Sequence, residues 1–237
     1  MLKGMRLKLK WFIKEISLEI QIIDFGVEKY DKVLDLQHSF FDKLVEGKRT
    51  GEPCSEYILI GEHEPVVTLG RRANERNLLC SQDELRNKGI DVFKIGRGGD
   101  VTIHNPGQLI IYPILDLEKH GLGVKDYVDL LEETVITLLR KYKIVGEKIK
   151  GATGVWIDAG TEKERKISAI GIKCNRFCTM HGLSINVNNS LEGFSLINPC
   201  GFTDKGVTSI LQENEEKIEM QEIKGEILRI FLSLLPL

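Results

Sequence analysis

Apolar residues recur at helical spacing in three stretches of the chain. Tyr30, Val33, Leu34, Phe41 and Leu44 predict a helix over residues 27–45. The clearest pattern predicts a helix over residues 123–142 with one apolar face. The positions on that face are Val124, Tyr127, Val128, Leu131, Val135, Leu138 and Tyr142. The apolar positions of a final predicted helix are Ile223, Ile227, Ile230 and Leu234.

Short apolar runs between turn-like segments predict strands. The predicted strands cover residues 17–25, 57–60, 66–69, 92–95, 101–104, 109–114, 155–157, 166–173 and 183–187. The runs at 57–60 and 66–69 flank the turn-like sequence GEHEP and are predicted to pair with each other. The polar sequence AGTEKER is predicted to be a hairpin loop between the strands at 155–157 and 166–173.

The order of these elements indicates the fold class. Ser81 and Glu84 have the spacing of a capping box and predict a short helix that runs towards Lys88. Several strands follow one another as hairpins, without strict alternation of strand and helix. We therefore expect an α+β fold with a mixed β-sheet. The sequence contains no internal repeat and no linker, so residues 1–237 are predicted to form one catalytic domain, with residues 1–16 as an extension.

Composition narrows the class of protein further. Hydrophobic residues make up 42% of the 237 residues and charged residues 29%, which is ordinary for a globular domain. The net charge of −2 argues against a dedicated nucleic-acid binder. Five irregularly spaced cysteines do not suggest a disulfide framework and favour a reducing cytoplasm. No apolar run reaches membrane-spanning length, and the basic N-terminal stretch lacks the pattern of a secretory signal, so no membrane association is expected.

Two residues can act together as a nucleophile and its partner. Cys200 stands in a Pro-Cys-Gly turn, and Lys166 lies 34 positions earlier (200 − 166) at the start of an apolar run. A nearby ammonium lowers the pKa of a thiol, and a thiolate can form and discharge a thioester. The alternatives are a buried inert cysteine and a solvated lysine at a strand edge.

A glycine-rich stretch from Arg97 to His104 is a candidate binding loop. Glycines allow the backbone to approach a ligand closely, although a tight turn between strands is the alternative interpretation. The stretch matches neither the dinucleotide-binding nor the P-loop pattern. Two other patterns do not support a metal site. Val67 stands where a zinc motif begun by His63 needs its second histidine, and the spaced pair Cys174 and Cys178 has no second pair of ligands nearby.

Four motifs together resemble the signature of the lipoyl/octanoyl transferases, a family related to the catalytic domains of biotin and lipoate ligases. They are, in the family's order, R-G-G-x-x-T-x-H-x-P-G-Q from Arg97, K-I-x-x-x-G from Lys166, H-G-x-x-x-N-V from His181 and N-P-C-G around Cys200. The resemblance extends over residues 22–210. It departs from the family pattern at Asn105, where a glycine is usual.

The resemblance implies a mixed sheet with a smaller second sheet beside it, flanked by helices. It also implies that Cys200 accepts an octanoyl group from octanoyl-acyl carrier protein and that Lys166 assists. The acceptors would be lysines in lipoyl domains of 2-oxoacid dehydrogenase E2 subunits and in the glycine cleavage H protein. Neither ATP nor a metal or other cofactor would be needed, because a thioester is already activated.

The family match also assigns residues to the substrate site. The implied substrate-binding residues are Arg97, Gly98, Gly99, Asp100, Val101, Thr102, Ile103, His104, Ala169, Ile170, Gly171, Gly182, Leu183 and Ser184. Arg72 and His181 are weaker candidates, since a solvated basic turn and a structural histidine are the alternatives. The competing functions are an ATP-dependent lipoate or biotin ligase and a non-catalytic binder of lipoyl domains.

Overall fold

The computed structural model describes residues 20–198 and 206–236, and only the backbone of Glu75. The predicted extension at residues 1–16, the start of the first predicted strand and Cys200 lie outside the described residues. Within this part of the chain, no helix is long and apolar enough to cross a membrane. A location in the cytoplasm and a single domain over residues 1–237 stay predictions.

Two β-sheets of different size organise the fold. The larger sheet contains β1 (Ile20–Glu28), β2 (Glu56–His63), β6 (Gln108–Ile114), β10 (Cys178–Asn186), β9 (Arg165–Asn175), β8 (Val155–Ile157) and β7 (Glu147–Lys148), in that spatial order, and β11 (Gly206–Val207) pairs with β9. The smaller sheet contains β4 (Asp91–Lys94), β3 (Val66–Leu69) and β5 (Val101–His104). Parallel and antiparallel pairs occur in both sheets, which confirms the predicted α+β fold with a mixed sheet and a smaller sheet beside it.

In the described residues, five α-helices accompany the sheets. They are α1 (Tyr30–Thr50), α2 (Gln82–Asn87), α3 (Val124–Lys141), α4 (Ile210–Asn214) and α5 (Met220–Leu234). The capping box at the start of α2 is present, because Ser81 Oγ accepts the Glu84 N–H and Glu84 accepts the Ser81 N–H. The helix predicted over 123–142 is confirmed as α3, and the final helix is confirmed as α5. Val124 and Leu234 are exposed, so the predicted apolar faces are too wide at these two positions.

The predicted boundary between the first strand and the first helix is wrong. Strand β1 continues to Glu28, and its Val27 pairs with Glu62 in β2. The helix therefore begins only at Tyr30 and runs on to Thr50, where Gly51 ends it in a left-handed conformation. The predicted helix began too early because Val27, which belongs to the strand, also fits the apolar spacing of the helix.

The predicted pairing of the runs at 57–60 and 66–69 is also wrong. Strand β2 pairs with β1 on one side and with β6 on the other, so both of its edges are occupied. The chain then leaves the larger sheet, and β3 pairs with β4 and β5 in the smaller one. The hairpin predicted between β8 and β9 is confirmed, as these strands are antiparallel neighbours.

Three apolar clusters hold these layers together. Helices α3 and α5 pack on one face of the larger sheet, with Tyr127, Leu131 and Ile227 in their shared cluster. Helix α1 covers the opposite face through Val33, Phe41 and Leu44. A third apolar cluster contains the buried side chains of the smaller sheet. Strand β10 is buried along its whole length, whereas its neighbour β9 is only partly buried, and these two strands carry two of the four sequence motifs.

Candidate functional site

A cleft forms where the loop between β4 and β5 meets strand β9. The Gly98 N–H donates to the Ile172 carbonyl at 2.8 Å and joins the loop of the smaller sheet to the larger sheet. A side chain at Gly171 would stand 2.8 Å from the Gly98 carbonyl oxygen and 3.2 Å from Arg97 Cδ. Glycine at this position therefore permits the close approach that brings the two sheets together.

Arg97 braces this junction from within. Its guanidinium is buried and donates to the Thr68 carbonyl at 2.7 Å, to Thr68 Oγ1 and to the Gly98 carbonyl at 2.9 Å. Asp100 fixes the end of the same loop. Its carboxylate accepts the Val101 N–H at 2.8 Å and the Asn77 Nδ2 amide at 2.6 Å. The glycine-rich stretch is thus a cross-braced loop between the sheets.

The cleft has an inner and an outer part that share one wall. Lys166, Gly99, Asp100, Ile170, Gly171 and Thr153 line both parts. The inner part is lined mainly by residues of β5, β6, β9 and β10, among them His104 and Tyr112, and Tyr30 at the start of helix α1 also lines it. The outer part opens between the Arg97–Asp100 loop and residues 151–153, and Arg72 stands at its side.

Three of the four sequence motifs, those that begin at Arg97, Lys166 and His181, meet at this cleft. Predicted site residues that line its inner part are Arg97, Gly99, Asp100, Val101, Thr102, His104, Lys166, Ala169, Ile170, Gly171, His181, Gly182, Leu183 and Ser184. Gly98 and Arg72 line only the outer part. Ile103 is buried in the core of the smaller sheet and lines neither part. The roles of these residues towards a substrate stay predictions.

Lys166 lies at the shared wall of the two parts. It is 7% exposed, so the solvated lysine that the sequence allowed is not what the structure shows. Its Nζ donates to the Thr153 carbonyl at 3.1 Å and lies 4.4 Å from the centre of the Trp156 ring. A carbonyl and an aromatic face are both partners that favour a cation. The amino group is therefore held at a defined place beside the cleft.

Histidines and tyrosines pack together at the inner part of the cleft, where His63 contacts Tyr30 and His104 without lining the cleft itself. His63 Nδ1 lies 3.1 Å from the Glu28 carbonyl and must donate to it, so its Nε2 accepts from the Tyr112 hydroxyl at 2.9 Å. His104 Nδ1 is 2.6 Å from Gln108 Oε1 and donates in the same way. Burial lowers the pKa of His63 to about 4 and, with the charges of His63 and Arg97, that of His104 to about 3. These rings are neutral near pH 7.

His181 belongs to the same group of neutral rings. It was expected to begin a strand, but it lies inside β10, opposite Ile172 of β9. Its backbone is left-handed (φ 59°), and its N–H donates to Gln37 Oε1 on helix α1 at 3.0 Å. Burial, together with the charges of Arg97 and Lys173, lowers its pKa to about 3.

Several residues of the cleft carried no signal that the sequence could separate from packing. Tyr30 and Tyr112 occur in apolar runs, where aromatic residues are expected in a core. Phe194 and Val207 line the inner part from segments without a recognised motif. Glu132 is a different case: it does not line the cleft, but it is a carboxylate on the buried side of helix α3. A charge inside an apolar helical face is an observable exception, and it could have been noticed.

The described cysteines and acidic groups do not form a metal centre. Cys174 packs in the cluster with α3 and α5, whereas Cys178 packs against α1 on the opposite face of the sheet. No group of three or more histidine, cysteine, aspartate or glutamate residues within 20–198 and 206–236 could hold a metal ion. Burial raises the pKa of Cys178 to about 11 and also raises that of Cys174.

Comparison with known proteins agrees with the fold and identifies one family. Residues 29–232 match the family model described as the lipoyl protein ligase A/B catalytic domain. An octanoyltransferase from Bacteroides fragilis is 46% identical over 212 residues, which cover 90% of this chain and 96% of the relative. An octanoyltransferase from Parabacteroides distasonis is 44% identical over 212 residues, covering 89% and 96%.

A solved structure shows the same fold at low sequence identity. It comes from an archaeal lipoylation system, a bi-partite lipoate protein ligase and its E2 lipoyl domain from Thermoplasma acidophilum. The TM-score is 0.64 at 14% identity, and the match covers 90% of this chain and 84% of that one. The chain belongs to the lipoyl protein ligase A/B catalytic domain family. Within that family, its similarity to octanoyltransferases shows that it is an acyltransferase.

Proposed function

We propose that this protein transfers an octanoyl group from octanoyl-acyl carrier protein to lysines of lipoyl domains, through a thioester on Cys200. The acceptors would be lipoyl domains of 2-oxoacid dehydrogenase E2 subunits and the glycine cleavage H protein. The names of relatives at 44–46% identity support octanoyl transfer. The acyl carrier protein, the cysteine thioester and these acceptors come from the match to the family motifs.

The position of Lys166 is the observation that carries the proposal. Its amino group stands where an apolar-lined inner cleft meets an open outer one. An octanoyl chain in the inner part would place its carbonyl carbon near this junction. The outer part could then receive first the pantetheine arm of the carrier and later the lysine side chain of the acceptor. Both substrates would thus approach the same amino group from one side.

The chain on either side of residues 199–205 also leads to this junction. The Asn198 N–H donates to the Asn77 carbonyl at 2.8 Å, and Phe194 lines the inner cleft. On the other side, Val207 also lines the inner cleft and is paired in register with Lys166. Because both flanking segments meet the cleft, we infer that Cys200 acts beside Lys166.

The reaction then proceeds in two balanced steps. The Cys200 thiolate, favoured by the Lys166 ammonium, attacks the octanoyl carbonyl carbon, and the bond to the carrier sulfur breaks. Lys166 gives its proton to the departing carrier thiolate and becomes neutral. The acceptor amine attacks the new thioester, an amide bond forms, and the bond to Cys200 breaks. The proton lost by the amine returns to Lys166.

The other cysteines are poor alternatives as nucleophiles. None of Cys54, Cys80, Cys174 and Cys178, the four in the described ranges, lines either part of the cleft. Burial raises the pKa of Cys80, Cys174 and Cys178, which disfavours their thiolates. These observations support the assignment of the nucleophile to Cys200.

The experiment is an intact-mass measurement after mixing the protein with octanoyl-acyl carrier protein in the absence of ATP. We expect wild type to gain one octanoyl group that hydroxylamine releases. Cys200→Ser should gain none, and the matched control Cys174→Ser should behave as wild type. No adduct on wild type, with a carrier verified as acylated, would contradict the proposal. Activity only with ATP and free octanoate would instead indicate a ligase, the alternative that shares this fold.

A further inference from the structure

A buried carboxylate stands behind the Lys166 site. Glu132 lies on helix α3, and its side chain is 8% exposed. Its Oε1 accepts the Gly154 N–H at 2.9 Å, while Lys148 Nζ on β7 is 3.9 Å from Oε2. A buried carboxylate is costly unless its hydrogen bonds compensate, so this arrangement calls for an explanation beyond packing.

The residue that Glu132 holds is part of the turn that contacts Lys166. Gly154 has φ 124°, and a side chain there would stand 2.4 Å from the Ser168 carbonyl oxygen and 3.5 Å from Lys166 Nζ. The preceding residue, Thr153, supplies the carbonyl that accepts from Lys166. The Thr153 carbonyl and the Gly154 N–H belong to the same peptide bond. Glu132 therefore holds one side of this peptide bond, while the other side accepts a hydrogen bond from the Lys166 amino group.

The same turn is also hydrogen-bonded to the aromatic partner of Lys166, Trp156 in β8. Trp156 Nε1 donates to the Ala152 carbonyl at 2.8 Å, so the indole ring is tied back to the turn. The Trp156 ring lies below the Lys166 amino group at 4.4 Å. Movement of the turn would displace the carbonyl and the ring together.

We propose that Glu132 is a positioning residue for Lys166: it anchors the turn at residues 151–154, and its negative charge favours the protonated form of that lysine. This inference rests on the proposed role of Lys166 in acyl transfer. It gives helix α3 a role in the site beyond packing and beyond Val128, which lines the outer part of the cleft. Loss of the anchor and loss of the charge should have separable effects, since only the second depends on pH.

The charged groups around Glu132 are consistent with both effects. Burial raises the pKa of Glu132, while the Gly154 N–H and the charges of Lys148 and Lys166 oppose that rise. Asp129, one turn earlier on α3, acts in the same direction as burial. Asp129 is half exposed and lies 4.0 Å from Lys148, so it shares that neighbour without sharing the bond to Gly154.

Three variants separate the two effects. Glu132→Gln keeps an oxygen that can accept the Gly154 N–H but removes the charge. Glu132→Ala removes both. Asp129→Asn is the matched control, because it removes a charge from the same helix and leaves the anchor in place. Circular dichroism and thermal unfolding establish which variants are folded at the assay temperature.

The first measurement does not depend on acyl transfer. The rate of reductive methylation of Lys166 by formaldehyde and cyanoborohydride is followed by peptide mass spectrometry over a range of pH. Because only the neutral amine reacts, Glu132→Gln should react at least about threefold faster than wild type near pH 8 and approach the wild-type rate near pH 11. Asp129→Asn should stay within about twofold of wild type throughout.

The second measurement is the rate at which octanoyl-acyl carrier protein loads the protein in a single turnover. We expect Glu132→Ala to load at least about tenfold more slowly than wild type, and Glu132→Gln to stay within about threefold at its best pH. Equal methylation profiles for wild type and Glu132→Gln would overturn the charge effect. Unchanged loading in folded Glu132→Ala would overturn the anchor. If wild type itself does not load, the proposed function fails, while the methylation profiles still decide the charge effect.

Discussion

The inner part of the cleft and its junction with the outer part have polar side chains in very different environments. His104 and His181 line the inner part and His63 packs against His104, and all three are buried rings that stay uncharged near pH 7. At the junction of the two parts, Lys166 is also buried, but a carbonyl oxygen and an aromatic face stabilise its cation. Histidine is the commonest acid–base residue in enzymes, yet burial keeps these three rings neutral, and hydrogen bonds hold the rings of His63 and His104 in place.

Because all of these groups are buried, the difference shows that the partners around a buried titratable residue decide what it can do. The hydrogen bonds of His63 use both ring nitrogens, with the Glu28 carbonyl on one side and the Tyr112 hydroxyl on the other. Such a ring can shape an apolar cleft and keep its polar edge satisfied, but it exchanges protons poorly near neutral pH. The lysine is held by partners that suit its charged form and leave it beside both parts of the cleft.

The strongest test of the comparison removes the charge at the junction. Lys166→Met keeps most of the side-chain volume and should reduce octanoyl loading by a factor of about 10² to 10⁴, because no group remains to favour the thiolate or transfer the proton. Single-turnover loading from octanoyl-acyl carrier protein measures the effect. Lys173→Met, on the same strand with its amino group 4.9 Å from the Phe41 ring, is the control. A loss of less than tenfold in Lys166→Met would remove this lysine from the mechanism.

The next test disrupts the close contact between the two sheets at Gly171. A methyl group at Gly171 would meet the Gly98 carbonyl and Arg97, so Gly171→Ala should lower the free energy of unfolding by about 1–3 kcal/mol and slow loading about tenfold. Urea unfolding and single-turnover loading measure the two effects.

The control for Gly171 lies in helix α5. Gly225 has no heavy atom within 4 Å of the added carbon, so Gly225→Ala should raise the free energy of unfolding by about 0.5–1 kcal/mol and leave loading unchanged. If Gly171→Ala behaves like Gly225→Ala, the close approach of the loop to β9 is not needed for the site.

The sequence predicted the elements well and their partners less well. Apolar spacing located α3 and α5, because the buried positions on a helix repeat regularly. It could not show that β2 and β3 belong to different sheets, since pairing depends on which strand edges are already occupied. The start of α1 was misplaced for a related reason, as Val27 satisfies the helical spacing while it pairs within β1.

For the site, as for the fold, sequence patterns predicted some features and missed others. The motifs at Arg97, Lys166 and His181 meet at one cleft, as the family resemblance implied. The neutral state of the histidines follows from burial and from contacts distant in sequence, so no local pattern contains it. Ile103 shows that a residue inside a predicted binding motif can face the core, so a motif alone does not show which of its side chains reach the cleft.

The inner histidines predict how stability depends on pH. The folded pKa of His63, about 4, lies below its ordinary value of 6.5, so its contribution is complete above pH 6.5 and is lost as the pH falls towards 4. In His63→Gln, this part of the loss, about 2 kcal/mol, should be absent. Urea unfolding between these pH values measures it, with His38→Gln on α1 as the control. An identical pH dependence in His63→Gln and wild type would show that the ring can accept a proton in the folded state.

His120 provides the opposite case, outside the cleft, and should have the smallest effect. Burial alone would lower its pKa, but hydrogen bonds to Glu56 at 3.0 Å and to the Pro236 carbonyl at 2.8 Å raise it above 6.5. Its contribution is therefore complete below pH 6.5 and is lost as the pH rises through the folded pKa. We expect His120→Gln to be less stable than wild type by about 1 kcal/mol at pH 6, with a smaller difference at higher pH. A difference that instead grows with pH would mean that the buried ring is neutral, and the contrast with His63 would then disappear.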